Sequence, residues 1–401
     1  MTTEIMEQAD RVIAKTYKRF PVVLAKGSGC TVYDTEGRGY TDFVAGIAVC
    51  NLGHSHPGVV KAISDQARTL THVSNLYYTI PQVELAAWLV EHSFADRVFF
   101  CNSGAEANEA AIKLARKYFN EQGKNNRFRI ITMENSFHGR TMATLSATGQ
   151  DKIKKGFDPV LEGFDYVPFN DIKALESKID SNTCAVMLEP IQGEGGVRCP
   201  DDGYLKAVRR ICTDRGVLLI FDEIQTGMGR TGRLFAYENF SVQPDIMTLA
   251  KALANGLPIG AMLAREQVAE AFGPGAHATT FGGTPLVTAA AFEVCKTLVQ
   301  DNVINQGREV AEYFKEKFLG LKERHEVIVD IRGLGLLLGV QLSINAEFLV
   351  NQCLQRGFLI NCIQENILRF VPPLIIKKEE IDALIDCLDE LLEQVEDENK
   401  S

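Results

Sequence analysis

The chain has 401 residues and a formal net charge of −10, from 52 acidic and 42 basic side chains; 46% of it is hydrophobic, 23% charged and 8% aromatic. That is the make-up of a globular protein too long for one small core, suited to a large domain with a smaller one beside it. No basic run or aromatic–basic interleaving stands out, which excludes nucleic acid as an expected partner, and apolar runs such as "LGLLLGV" are far too short to span a bilayer.

The start, "MTTEIMEQAD", lacks the apolar centre of an export signal. Ten cysteines are scattered from Cys30 to Cys387 with no CxxC pair, so they read as reduced core residues and not as a disulfide framework or a zinc site. The expected compartment is the cytoplasm.

From about Arg97 to Leu263, short apolar runs alternate with helical patterns: "RVFFC", "FRIIT", "CAVML", "VLLIF", "IMTLA" and "IGAML". Continuous apolar runs separated by helices predict mainly parallel strands covered on both faces, an α/β sheet. One long helical stretch is expected from Thr284 to about Lys322. The runs "IRGLGLLLGVQL", "GFLIN" and "LRFVPP", with helices near Ala346–Arg356 and at the end, predict a smaller α+β domain. The acidic tail "EDENK" is expected to fray.

Four stretches carry candidate chemistry. In "RVFFCNSGAEANEAAIKLARKY" a strand ends at Cys101, and Ser103 with Glu106 has the spacing of a capping box that starts a helix. Gly104 beside that start leaves backbone N–H groups open to a phosphate. A well-capped helix with no ligand explains the same residues. In "ENSFHGRTMATLSATG", Arg140 is a candidate clamp for a substrate carboxylate, although an arginine on a solvent-facing loop is the commoner case. His138, like His54 and His56, lacks further ligands at metal-binding spacing, so no metal is expected.

In "VLLIFDEIQTGMGRTGR", Asp222 and Glu223 end an apolar strand at the edge where open α/β sheets bind ligands. An aspartate capping a turn is the plainer alternative. Gly227, Gly229 and Gly232 spell G-x-G-x-x-G, but they do not directly follow the strand and no good helix comes after them, so the dinucleotide context is missing. Finally, "DIMTLAKALANGLP" places Lys251 at the end of a buried run. Desolvation would lower the pKa of this amine and free it to form an imine; alone, it could equally snorkel to the surface. A phosphate cradle, a strand-end carboxylate and an imine-forming lysine together match the requirements of pyridoxal phosphate.

These stretches resemble the class III (ω-amino) aminotransferases. "NSGAEANEAAIKLAR", "FHGRT", "EPIQGEGGV", "FDEIQTGMGRTG", "AKALANGLPIGAML", "TTFGGTPL" and "LRFVPPL" occur in the family's order, from about Pro21 to the last helix. The resemblance implies fold type I: an N-terminal segment (1–75) packing with the small domain, a large cofactor-binding α/β domain (76–285), and a linking helix with a small α+β domain (286–401). It implies a homodimer with shared active sites. Lys251 and Asp222 would be catalytic, the lysine forming the imine and moving the proton, the aspartate holding the pyridine nitrogen. Gly104, Ala105, Phe137, Glu223, Ile224, Gln225 and Thr280 would contact pyridoxal 5'-phosphate, with Thr280 arriving from the other subunit. Arg140, Thr279, Glu194 and Arg369 would contact substrate, the last two as a gate that opens for glutamate. Phe281, Thr284 and Thr279 depart from the residues many members carry there.

"FVAGIAVCNLGHSHP" and "HVSNLYYTIPQ" are most similar to the branch acting on N-acetylornithine and 2-oxoglutarate in arginine biosynthesis. Ornithine, succinylornithine, N-succinyl-diaminopimelate and 4-aminobutyrate remain alternative donors. A nicotinamide-dependent dehydrogenase using the glycines at 227–232, or a catalytically silent scaffold, are the readings from other classes.

Overall fold

The computed structural model describes residues 2–400. Three hairpin-linked N-terminal strands, β1 (Leu24–Ser28), β2 (Thr31–Asp34) and β3 (Gly39–Asp42), open the fold. The large domain holds β4 (Arg97–Cys101), β5 (Arg129–Met133), β6 (Phe164–Val167), β7 (Thr183–Leu188), β8 (Leu218–Asp222), β9 (Ile246–Leu249) and β10 (Gly260–Ala264). The C-terminal part adds β11 (Ile328–Leu334), β12 (Leu337–Leu342), β13 (Phe358–Leu359), β14 (Asn361–Ile363) and β15 (Ile367–Phe370).

The central sheet runs β4-β10-β9-β8-β7-β5-β6. Every residue of β7 and β8 is buried, as strands covered on both faces require. Helix Gly104–Glu121 lays Ala107, Ala110, Ala111 and Ala115 inward, and these small side chains let it lie close to the sheet. The strands are parallel except β10, which is antiparallel to both β9 and β4. The expected runs all form strands; "FDYV" at β6 is an additional edge strand that the sequence pattern did not single out.

One expectation needs correction. The helical stretch from Thr284 is two helices, Pro285–Gln300 and Val303–Arg324, because Asn302 turns into the left-handed region (φ 59°) and breaks the ladder. The last helix runs from Lys378 to Lys400, with Glu396 turned to His325.

The N- and C-terminal parts share a sheet: β13 pairs in parallel with β3, Phe358 opposite Thr41. Arg230, fully buried, ties all three regions together. Its Nη1 donates to the carbonyls of Leu336 and Pro372, 2.9 and 2.5 Å away, and its Nη2 donates to Asn51. Burial pushes this guanidinium down to about 9. The glycines at 227, 229 and 232 form the tight turn around it, with Gly229 and Gly232 at positive φ.

Candidate active site

Strand register brings the candidate groups to one edge. Asp222, the last residue of β8, sits opposite Thr248 of β9; Leu249 sits opposite Ala261 of β10; and Gly260 sits opposite Cys101, the end of β4. The chain leaves each of β4, β8 and β9 at this row, so Ser103, Asp222 and Lys251 emerge side by side, as expected at the carboxyl ends of an open α/β sheet. They open onto a cavity of about 440 Å³ that Gly104, Ala105, Phe137, Arg140, Ile224 and Gln225 also line.

At the helix start, Ser103 Oγ accepts from the Glu106 amide (3.2 Å), and Glu106 Oε2 reaches back to the Asn102 amide (2.9 Å). The cap therefore forms as the spacing predicts, one residue wider on its return arm. A Cβ at Gly104 would fall 2.8 Å from Ile224 Cδ1. Any larger residue at 104 would make the Ile224 side chain shift.

Lys251 has a positive φ (42°) and keeps part of its surface open to the cavity. Burial lowers its ammonium to about 8, with Glu194 opposing and Arg369 reinforcing the shift. This answers the question of a lysine at the end of a buried run: the site holds an amine easily made neutral.

Asp222 is held by three donors. Its Oδ2 takes His138 Nδ1 (2.7 Å) and Asn108 Nδ2 (2.8 Å), and its Oδ1 takes the Ile224 amide (3.1 Å). Thr248 Oγ1 in turn donates to Asn108 Oδ1. Burial alone would lower the His138 pKa, but its bond to Asp222 raises it. His138 Nε2 is buried without a partner among the described residues.

Glu189, at the end of β7, accepts from the amides of Phe137 and Gly193, both at 3.1 Å, and burial pushes it up to about 7. Sequence reasoning passed over Asn108, Thr248 and Glu189, and set His138 aside as a non-ligand. The available signal for Glu189 was the one used for Asp222, a carboxylate closing an apolar strand.

Beside the cavity, the buried Arg369 donates to Glu194. Burial would raise the Glu194 pKa, but Arg369 and Lys251 outweigh it and hold the carboxyl below its usual range. Gln225 touches both partners: its Nε2 lies 3.4 Å from Glu194 Oε1, and its Oε1 accepts from Arg369 Nη1 at 3.3 Å. Arg140 lies at the exposed rim, its guanidinium 5.5 Å from the centre of the Phe137 ring.

The other sequence candidates lie elsewhere. Glu223 does not line the cavity; its carboxylate accepts from the amides of Ala236 and Tyr237, and burial raises it to about 8. Thr279 Oγ1 accepts from Asn102 Nδ2 (3.2 Å), and Thr280 is exposed, outside the cavity. Among the described residues, no three His, Cys, Asp or Glu side chains converge as a metal site, and no helix is long and apolar enough to cross a membrane.

A large central α/β sheet beside a smaller sheet, with a lysine and a held carboxylate at one sheet edge, is the arrangement of pyridoxal-phosphate fold type I. The sequence profile described as "Aminotransferase class-III" matches residues 12–392, and the chain belongs to that family. It is 54% identical to an acetylornithine aminotransferase of Methanocaldococcus jannaschii over 94% of this chain and 95% of the relative. It is 51% identical to one of Caldanaerobacter subterraneus over 96% and 98%. Among solved structures, the ornithine aminotransferase of Toxoplasma gondii superposes with a TM-score of 0.96 at 34% identity, covering 99% of this chain and 96% of that one. The acetylornithine aminotransferase of Elizabethkingia anophelis gives 0.88 at 33%, covering 98% and 99%. The protein is thus a pyridoxal-phosphate-type aminotransferase, and the dehydrogenase and silent-scaffold readings fall away.

Proposed function

We propose that this enzyme moves the δ-amine of N-acetylornithine to 2-oxoglutarate, yielding N-acetylglutamate 5-semialdehyde and glutamate. The observation that carries the reading is the buried Arg369 neutralised by Glu194 beside Lys251. One pocket must serve two partners. Glutamate brings a carboxylate next to its reacting amine, which a guanidinium clamps well. N-acetylornithine brings only methylenes there, and a bare guanidinium facing them would be desolvated without a counter-charge. A carboxylate that can cover or release the arginine serves both. The names of the relatives favour the same donor.

The residues present fit pyridoxal phosphate: a glycine cradle at a helix N-terminus, a buried carboxylate and a lysine with a lowered pKa. When bound, the cofactor supplies an aldehyde that takes up amines and a ring that spreads the electrons released at the substrate carbon. Lys251 supplies the amine that holds it and moves the proton at the reacting carbon. Asp222, fixed by His138 and Asn108, would hold the ring nitrogen and favour its protonated form. Phe137 and Ile224 would hold the ring, Gln225 its hydroxyl, and the Gly104 and Ala105 amides the phosphate. Arg140 and Thr279 orient the substrate.

A second copy of the chain would complete the site, supplying its Thr280 to hold the phosphate. An exposed apolar surface supports this reading: Leu76, Tyr77, Tyr78, Ile80 and Phe281 are each at least 61% exposed, and Phe281 follows Thr280 directly.

The test is a rate comparison. The purified enzyme receives 2-oxoglutarate with N-acetylornithine, ornithine, N-succinyl-diaminopimelate or 4-aminobutyrate, and glutamate formation is followed. The highest kcat/KM is expected with N-acetylornithine; a higher value with 4-aminobutyrate or ornithine overturns the assignment.

A further inference from the structure

Gln225 is 8% exposed, and its amide lies between two opposite charges, its oxygen toward Arg369 and its nitrogen toward Glu194. An amide is the uncharged group that meets both signs at once, accepting at one end and donating at the other. It adds no net charge near Lys251. The space it fills is reserved: a Cβ at Gly193 would fall 2.3 Å from Gln225 Oε1, and the Gly193 amide is itself held by Glu189.

We propose that Gln225 is a third member of the gate, biasing Glu194 and Arg369 toward their paired arrangement and so setting how readily the pocket admits a dicarboxylate. The inference rests on the reading of Glu194 and Arg369 as a gate. Swinging Glu194 out breaks its contact with Gln225 Nε2, whereas the Gln225–Arg369 contact need not break. The paired state therefore gains one polar contact that the open state lacks. An ordinary net hydrogen bond is worth about fivefold in an equilibrium. Gln225 is a positioning residue in this role, apart from its proposed contact with the cofactor hydroxyl, and a double-mutant cycle separates the two.

Glutarate, a dicarboxylate without a reacting group, is titrated calorimetrically into the cofactor-loaded enzyme, its Gln225→Leu and Glu194→Ala variants, and the double variant. Gln225→Leu is expected to bind glutarate about fivefold more tightly than the parent, and to change nothing once Glu194 is gone. Unchanged or weaker binding in Gln225→Leu overturns the proposal, as does an equal fold-change in both backgrounds. Should Gln225→Leu fail to fold, Gln225→Met carries the same test. The visible absorbance of lysine-linked cofactor is read on the same samples. A parent lacking that band overturns the underlying reading of the site, whereas a band with additive effects removes only the role given to Gln225.

Discussion

His138 Nδ1 lies 2.7 Å from Asp222 Oδ2, with both side chains buried. Asn108 takes the same oxygen, so Oδ2 is saturated and the carboxylate has one orientation. Removing either donor leaves Asp222 loosely held in a buried site. Asn108→Ala or His138→Leu is expected to weaken cofactor affinity by about tenfold or more, the worth of a hydrogen bond to a charged group. Equilibrium dialysis of the cofactor against each variant checks this; unaltered affinity would show that the two remaining donors suffice to hold the carboxylate.

Lys251 should be the sole attachment point. Borohydride reduction followed by peptide mass analysis is expected to place the adduct there. Lys251→Arg should show no adduct and lose amino transfer by about 10³-fold, as for a missing proton-transfer group.

The lowered Lys251 pKa gives cofactor uptake a pH dependence. Only the neutral amine attacks an aldehyde, and in the cofactor-free enzyme it is neutral above about 8. The uptake rate should therefore level off above that pH and fall about tenfold per unit below it. Glu194 raises this pKa and Arg369 lowers it, so Glu194→Ala is expected to move the midpoint to lower pH. Stopped-flow absorbance at a series of pH values reads both.

Glu194→Ala also uncovers Arg369. The ratio of kcat/KM for glutamate to that for N-acetylornithine should rise by about tenfold, within the range of a buried pair losing one partner. An unchanged ratio would show that Glu194 does not discriminate between the two amines.

Much of this was legible in the sequence, for identifiable reasons. β7, β8, β9 and β10 are fully buried and read as mainly apolar runs, and Asp222 and Lys251 stand out because they are charges closing such runs. β6 was overlooked because its two central residues are an aspartate and a tyrosine, on an edge where solvent tolerates them. The break at Asn302 hid inside a continuous helical composition. Asn108 and His138 reach Asp222, and Thr248 reaches Asn108, only through folding, across separations as long as 140 residues. Nothing local marks a side chain whose partner is that distant. Glu223 shows the converse: adjacency to Asp222 in sequence put it on the wrong side of the strand to reach the cavity.

Arg230→Met should loosen the whole molecule. It strands two carbonyls and Asn51 in a buried setting, and a loss of about 3 kcal/mol or more is expected in urea unfolding. A loss below about 1 kcal/mol would mean the three regions cohere without it.

The guanidinium at that junction is gripped by carbonyl and amide dipoles, with no carboxylate among its recorded hydrogen-bond partners. Mobile ions weaken attractions between exposed charges but do not penetrate to a buried charge–dipole contact. Brine strong enough to strip the exposed Lys18–Glu347 or Arg97–Glu266 pairs from the surface should thus leave this three-way junction as tight as in dilute buffer.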